Sequence, residues 1–337
     1  MTMPNLVITN GDAAVERLKA GGIAGHFLPW RDMLHDGPVP ADASLATVAD
    51  ARAAFLSQSL GLEFDSVRAD FPERDGQLEI HIAFNCVDLW FEHDLYDQLQ
   101  LIQLLNYFAR EPERLGLRLI QADHYLGLMD EAQVHDLAQR ACGVSAVQLE
   151  TASDAWEAFT APTPRALARF VKQQSPALPF LVPALRRALA ELPAPRTGLS
   201  LTEERILRQL VDGPQSVAHV YGAVHKMDEA QFLADLPFFL RLDGLAFAHE
   251  PLIEGLPFAS SECKPFQAST PAGPEEITYR TFATAEIALT EAGHAALKGG
   301  FDHACENAID RWLGGTRLQP GAMWRYDRNA ERLIDPN

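Results

Sequence analysis

Cysteine is scarce. The 337 residues contain four, Cys86, Cys142, Cys263 and Cys305, and no CxxC pair. That spacing argues against a zinc knuckle and a disulfide framework and suits a reducing compartment. Glycine-rich phosphate loops are also missing. Gly11 stands alone after the first predicted strand, so neither the GxGxxG dinucleotide fingerprint nor a P-loop is present, and there is no GxSxG nucleophile elbow. No stretch reaches the roughly 18 uninterrupted apolar residues of a membrane span, and the opening MTMPNLVITNGD lacks the basic-then-apolar pattern of a leader. A cytoplasmic protein is expected. Positive charge is in short supply, with 28 Lys and Arg against 46 Asp and Glu and a formal net charge of -18. Such a surface repels phosphate backbones and anionic lipid, so neither DNA nor a membrane is an expected partner.

The length fits two domains, each able to bury its own core. Leu6 to Thr9, Ile23 to Leu28, Val87 to Phe91 and Leu117 to Gln121 read as short strands. Between them lie helical patterns: Ala13 to Ala20, Ala43 to Leu60, and a helix beginning near Asp94. Leu78 to Phe84 alternates apolar and polar residues and reads as a strand or a loose extension. Asp130 with Gln133 has the spacing of a capping box for a helix through Arg140. Alternation of strand and helix predicts βαβ units, hence an α/β fold with an open, mainly parallel sheet over residues 1–150.

In open parallel sheets ligands bind beyond the carboxyl ends of the strands, and four predicted strands here end in polar clusters. These are Asn10, Gly11 and Asp12; Asp32, His35 and Asp36; Glu92, His93, Asp94, Asp97 and Gln98; and Asp123 and His124. Carboxylates crowded at a strand end lose hydration and need a cation, a proton or donors. The expected metal ligands are Asp32, Glu92, Asp94 and Asp97, holding magnesium or manganese, since oxygen ligands suit hard cations. Asp32, His35, Glu92 and His93 are the candidate catalytic acids and bases. Asn10, Gly11, Asp12, Gln98, Asp123 and His124 are candidate contacts to a small polar ligand. Each acid has an ordinary alternative. Asp12, Asp94 and Asp130 stand where helix N-caps stand, and Asp97 follows Asp94 at capping spacing.

The strings NGD (Asn10 to Asp12), WRDMLHDGPVP (Trp30 to Pro40) and LWFEHDLYDQLQLIQLL (Leu89 to Leu105) resemble a bacterial family known as domain of unknown function eighteen thirty-five. LTEERILRQL, ALTEAGHAAL and DRWLGG, further on, resemble that domain's usual C-terminal partner. The resemblance implies a cytoplasmic two-domain protein; it assigns no catalytic residue.

Residues 151–198, rich in Ala and Pro, predict a helical connector. From 199 to 337 the pattern predicts a winged-helix-like α+β domain: helices at Ser200 to Leu210 with a Ser200–Glu203 capping box, Ser216 to His225 and Asp228 to Leu240, two short strands in LDGLAFAHEPLI, and a terminal β-hairpin. The presumed recognition stretch DEAQFLADLPFFLRLDG carries four acids and only Arg241 as a cation, which argues against reading DNA. Two functions follow. One is a divalent-metal-dependent enzyme, of hydrolase or phosphoryl-transfer type, acting on a small polar or phosphorylated substrate. The other is a non-enzymatic module whose second domain binds a protein partner.

Overall fold

A computed structural model describes residues 3–41, 44–111, 116–263 and 274–336. The first sheet is built from β1 (Leu6–Thr9), β2 (His26–Pro29), β3 (Val87–Phe91), β4 (Leu117–Gln121) and β5 (Cys142–Gly143). Their order is β2-β1-β3-β4-β5, with β1 to β4 mutually parallel and β5 antiparallel at the edge. The expected α/β class with a mainly parallel sheet is therefore present. α1 (Asp12–Ala20), α2 (Leu45–Leu60), α3 (Phe64–Glu79), α4 (Leu95–Arg110) and α5 (Glu131–Ala138) make the crossovers and the flank.

Side-chain alternation divides the sheet's two faces. Leu6, Ile8, Leu89, Phe91 and Leu119 pack toward α4, whereas Val7, Trp90 and Ile120 pack with Ala14, Leu18 and Val134 of α1 and α5. β3 is buried at all five positions, as a central strand covered on both faces requires. α4 is buried along nearly its whole length, because α6 (Ala146–Thr160) and α8 (Leu181–Leu189) close over it. Its glutamines are therefore interior. Gln98 Nε2 donates to the Glu92 carbonyl at 2.6 Å, Gln100 Nε2 to the Asp32 carbonyl at 3.0 Å, and Gln103 Oε1 accepts from Trp30 Nε1 at 2.8 Å. α4 thus fixes both polar loops above the sheet.

Several expectations are corrected. Residues 78–84 form no strand: α3 ends at Glu79 and a 3-10 turn, His81–Ala83, follows. Asp12 is not the cap of α1; Gly11 is, and Asp12 opens the helix. The boundary expected at residue 150 falls inside α6, which packs on α4. The capping boxes Asp130–Gln133 and Ser200–Glu203 are both formed.

After α7 (Arg165–Phe170) and α8, Gly198 takes a left-handed φ of 65° and Ser200 caps α9 (Leu201–Gln209). Then come β6 (Gln215–Ser216), α10 (Val217–His225), α11 (Asp235–Ala246), β7 (Ile253–Glu254), α12 (Pro274–Thr284), β8 (Glu286–Leu289), α13 (Glu291–Leu297) and α14 (His303–Glu306). β8 lies between β6 and β7, antiparallel to both. LDGLAFAHEPLI holds the end of α11 and only one strand, and α11 starts at Asp235 rather than Asp228. Two hairpins follow: β9 (Arg311–Leu313) with β10 (Thr316–Leu318), and β11 (Arg325–Asp327) with β12 (Arg332–Ile334). The first has its Gly314–Gly315 turn against Phe159 and Thr160, where a Cβ on either glycine would collide with a backbone oxygen. Val39 N–H donates to the Gly314 carbonyl at 2.9 Å.

Buried charge joins the two halves. Arg241 of α11 pairs with Asp36 of the first polar loop and lies 3.7 Å from Glu191. Arg187 of α8 binds Glu191 at 2.6 Å and Asp228 at 2.7 Å, and Arg205 of α9 binds Asp228 at 2.6 Å. Burial opposes ionisation of Glu191, but Arg187 and Arg241 hold it far below the usual carboxylate range. Three guanidiniums and three carboxylates thus answer one another. Among the described residues, no helix is long and apolar enough to cross a membrane.

Candidate functional site

The chain passes from β1 to β2 on one side and returns to β3 on the other, so strand order reverses between β1 and β3. That reversal opens a crevice at the strands' carboxyl ends, the place where such sheets bind ligands. Asn10 follows β1 there and Glu92 follows β3. Asp94 caps α4, accepting from Asp97 N–H at 3.1 Å. This capping turn folds Asp97 back onto the strand end, where its carboxylate accepts from Glu92 N–H at 2.6 Å and from Asn10 Nδ2 at 2.8 Å. Glu92 accepts from Leu126 N–H at 2.7 Å. Oxygens of Glu92, Asp94 and Asp97 all lie within 4.8 Å of one another, and each residue is at most 5% exposed.

Three buried carboxylates this close cannot all carry charge without compensation. Burial, then the charge of Asp94, pushes Glu92 up to about 7. Burial pushes Asp94 up to about 6. Asp97 is raised well above the carboxylate range by burial and by its two acidic neighbours. No Lys or Arg forms an ion pair with the triad among the described residues. Several polar atoms near this edge also lack partners: Thr9 Oγ1, Trp90 Nε1, His93 Nδ1, Gln98 Oε1 and Gln121 Oε1. Gln98 is fully buried, its Nε2 donates to the Glu92 main-chain carbonyl, and its Oε1 has no partner.

His93 faces the other way, between Tyr125 and Phe180 at ring distances of 5.1 and 5.9 Å. It lines a cavity of about 680 Å³ with Leu95, Asp123, Pro183, Asp228 and Glu229. Tyr125 Oη accepts from Gln231 N–H at 2.5 Å, tying the loop between α10 and α11 to this rim. Burial, then the charge of His124, lowers the His93 pKa.

The other expected site residues lie elsewhere. Asp32 is not brought to the triad. Its carboxylate is fully buried against Arg52, 2.8 Å away, whose guanidinium also reaches the Met33 and Asp36 carbonyls. His35 is buried with neither ring nitrogen hydrogen-bonded; burial drops its pKa to about 4, and it packs on Phe232 and Tyr96. Asp12 is an exposed surface partner of Arg31 at 2.5 Å. Gly11 is extended, with open space where a Cβ would stand. Asp123 and His124 are exposed and adjacent, and of the two only Asp123 lines the cavity. Sequence reasoning missed Arg186, Arg187 and Asp228 on the cavity wall, because nothing local in α8 or after α10 marks them as neighbours of β3.

No protein-family model matches the sequence, and no curated protein matches it.

Proposed function

We propose that the chain is a divalent-cation-dependent enzyme acting on a small polar substrate held in the cleft between sheet edge and α8. The observation that carries this reading is the convergence of Glu92, Asp94 and Asp97, buried and without a cationic partner, at the crevice between β1 and β3. An all-oxygen donor set of three carboxylates suits magnesium or manganese rather than zinc. A bound cation would supply Lewis-acid polarisation of a substrate oxygen. His93, on the cavity wall with its Nδ1 unpartnered, is the candidate general base. Asp32 and His35 drop out of the catalytic set, being enclosed by Arg52 and by Phe232 and Tyr96.

The test is a set of melting curves across pH. A carboxyl whose folded pKa exceeds its unfolded value stabilises the fold below the unfolded pKa, and that stability is lost as pH rises through the folded pKa. With EDTA the melting temperature should therefore fall between about pH 4 and pH 7, the loss amounting to a few kcal/mol for the triad. Millimolar manganese should recover it, because a cation bound only by the folded state stabilises by mass action. Asp94→Asn, which caps α4 nearly as well as Asp, should keep the fold and abolish the manganese effect. If no divalent cation changes the neutral-pH melting temperature, the acids share protons instead, and the binding-module alternative takes over.

For the second half we propose a winged-helix-like unit that does not bind DNA. The order α9, β6, α10, α11, β7, α12, β8 with β8 central supports the first part, α12 standing where a wing would have only a turn. The second rests on α11, whose Phe238, Phe239 and Leu242 are buried and whose Arg241 is spent on Asp36 and Glu191. A fluorescent duplex at low salt should show no anisotropy change; salt-sensitive submicromolar binding would overturn this.

A further inference from the structure

The last turns of α4 border a cavity of about 540 Å³, walled on other sides by the first turn of α2 and by Trp156 of α6. Gln103, Asn106 and Tyr107 reach it from α4 at spacings i, i+3 and i+4, which set them on one helix face. Gln103 is 4% exposed and Asn106 9%. Each glutamine of α4 commits an amide atom to a hydrogen bond, whereas the Asn106 side chain forms none among the described residues. Gln103 Oε1 is taken by Trp30, and its Nε2 donates to no described group. Trp156 Nε1 and the Tyr107 hydroxyl are likewise without a hydrogen-bond partner among the described residues. None of these atoms is sealed off by protein, so they face the cavity their residues line. Polar groups gathered at the bottom of a cleft on an otherwise packed helix are what a ligand-binding pocket supplies.

Charge is confined to the outer wall. Glu79 and Arg110 are exposed and Glu111 is half-buried. Burial, then the charges of Glu111 and Glu79, pushes the Tyr107 hydroxyl up to about 12, so it keeps its proton at neutral pH. The buried part of the cavity therefore offers neutral donors and acceptors beside Val48 and the Trp156 indole. We propose that this cavity binds an uncharged polyol of monosaccharide size. A hydroxyl group both donates and accepts, so it matches two carboxamides and a phenol without needing a counter-charge. An anion would meet Glu79 and Glu111, and a cation would find no carboxylate among the buried residues. Asn106 lies nine residues along α4 from Asp97, about 14 Å at the helical rise, so this site is independent of the cation reading above.

The probes are glucose, galactose, ribose and myo-inositol, each observed by saturation-transfer NMR with the full chain in EDTA. At least one should give a saturable signal, in the wild type and in Asp94→Asn alike. Asn106→Leu, close to Asn in shape but without its hydrogen bonds, should weaken binding about tenfold or more, with dichroism reporting the fold. Ala46→Phe, at an exposed position on the cavity wall, should block binding without touching the core, and it decides the matter should Asn106→Leu fail to fold. No signal from any of the four, or unchanged affinity in a folded variant of either kind, overturns the proposal. So does loss in Asp94→Asn, which would put the polyol at the sheet edge. Stronger saturation by acetate than by every polyol also overturns it, placing an anion at the start of α2 instead.

Discussion

Asp32→Ala is expected to cost about 3–5 kcal/mol of folding stability, the penalty for leaving a buried charge without its partner. Both side chains of the Asp32–Arg52 pair are fully buried, and Arg52 has no route to water. Its guanidinium also gathers the carbonyls of Met33, Asp36 and Pro38, so the change would release the loop that presents Asp36 to the second half. Asp32→Asn keeps an acceptor and should cost less. Urea denaturation measures both, and manganese should still raise the melting temperature of whichever variant folds. A cost below about 1 kcal/mol, the range of exposed pairs, would return Asp32 to consideration as a ligand.

Arg241→Ala should be comparably severe, again about 3–5 kcal/mol by the same uncompensated-charge argument, but with a different signature. It strands Asp36, beside the buried His35, while Glu191 keeps Arg187. The ion pairs of Arg187 with Glu191 and Asp228 survive, so α8 and α9 stay joined while α11 loses its hold on the first polar loop. Denaturation followed by tryptophan fluorescence and by far-ultraviolet dichroism should separate into two transitions. A single unshifted transition would show that apolar packing alone couples the halves.

What could be read from the sequence follows from the range of each interaction. β3 and α4 were legible because their signals are local: five consecutive positions suited to a fully covered strand, then Asp94 placed to cap. The triad was legible for the same reason, since Glu92, Asp94 and Asp97 are separated by a few residues at one strand end. The stretch 78–84 misled because its apolar alternation does not match burial. Ile80 and Ile82 are 54% and 51% exposed, whereas His81 between them is buried against Tyr107 and Phe108. Asp32 shares the triad's strand-end position in sequence but not its place in space. Its Arg52 partner lies on a helix 20 residues further on, and no spacing rule connects the two. The pairings of Arg187, Asp228 and Arg241 are invisible to sequence for that reason too: they exist only after the halves meet.

The Gly314–Gly315 turn has a consequence for how the chain matures. The socket it fills, between Val39 and the end of α6, belongs to elements that leave the ribosome long before the hairpin is made. Until then the Phe159 carbonyl lacks the Gly315 N–H it accepts from and Val39 N–H lacks the Gly314 carbonyl, so the loop carrying Asp36 is held by Arg241 without the hairpin. Nascent chains stopped before residue 315 should thus carry a formed parallel sheet with an unsealed roof, a natural recognition feature for chaperones and proteases that survey unfinished proteins.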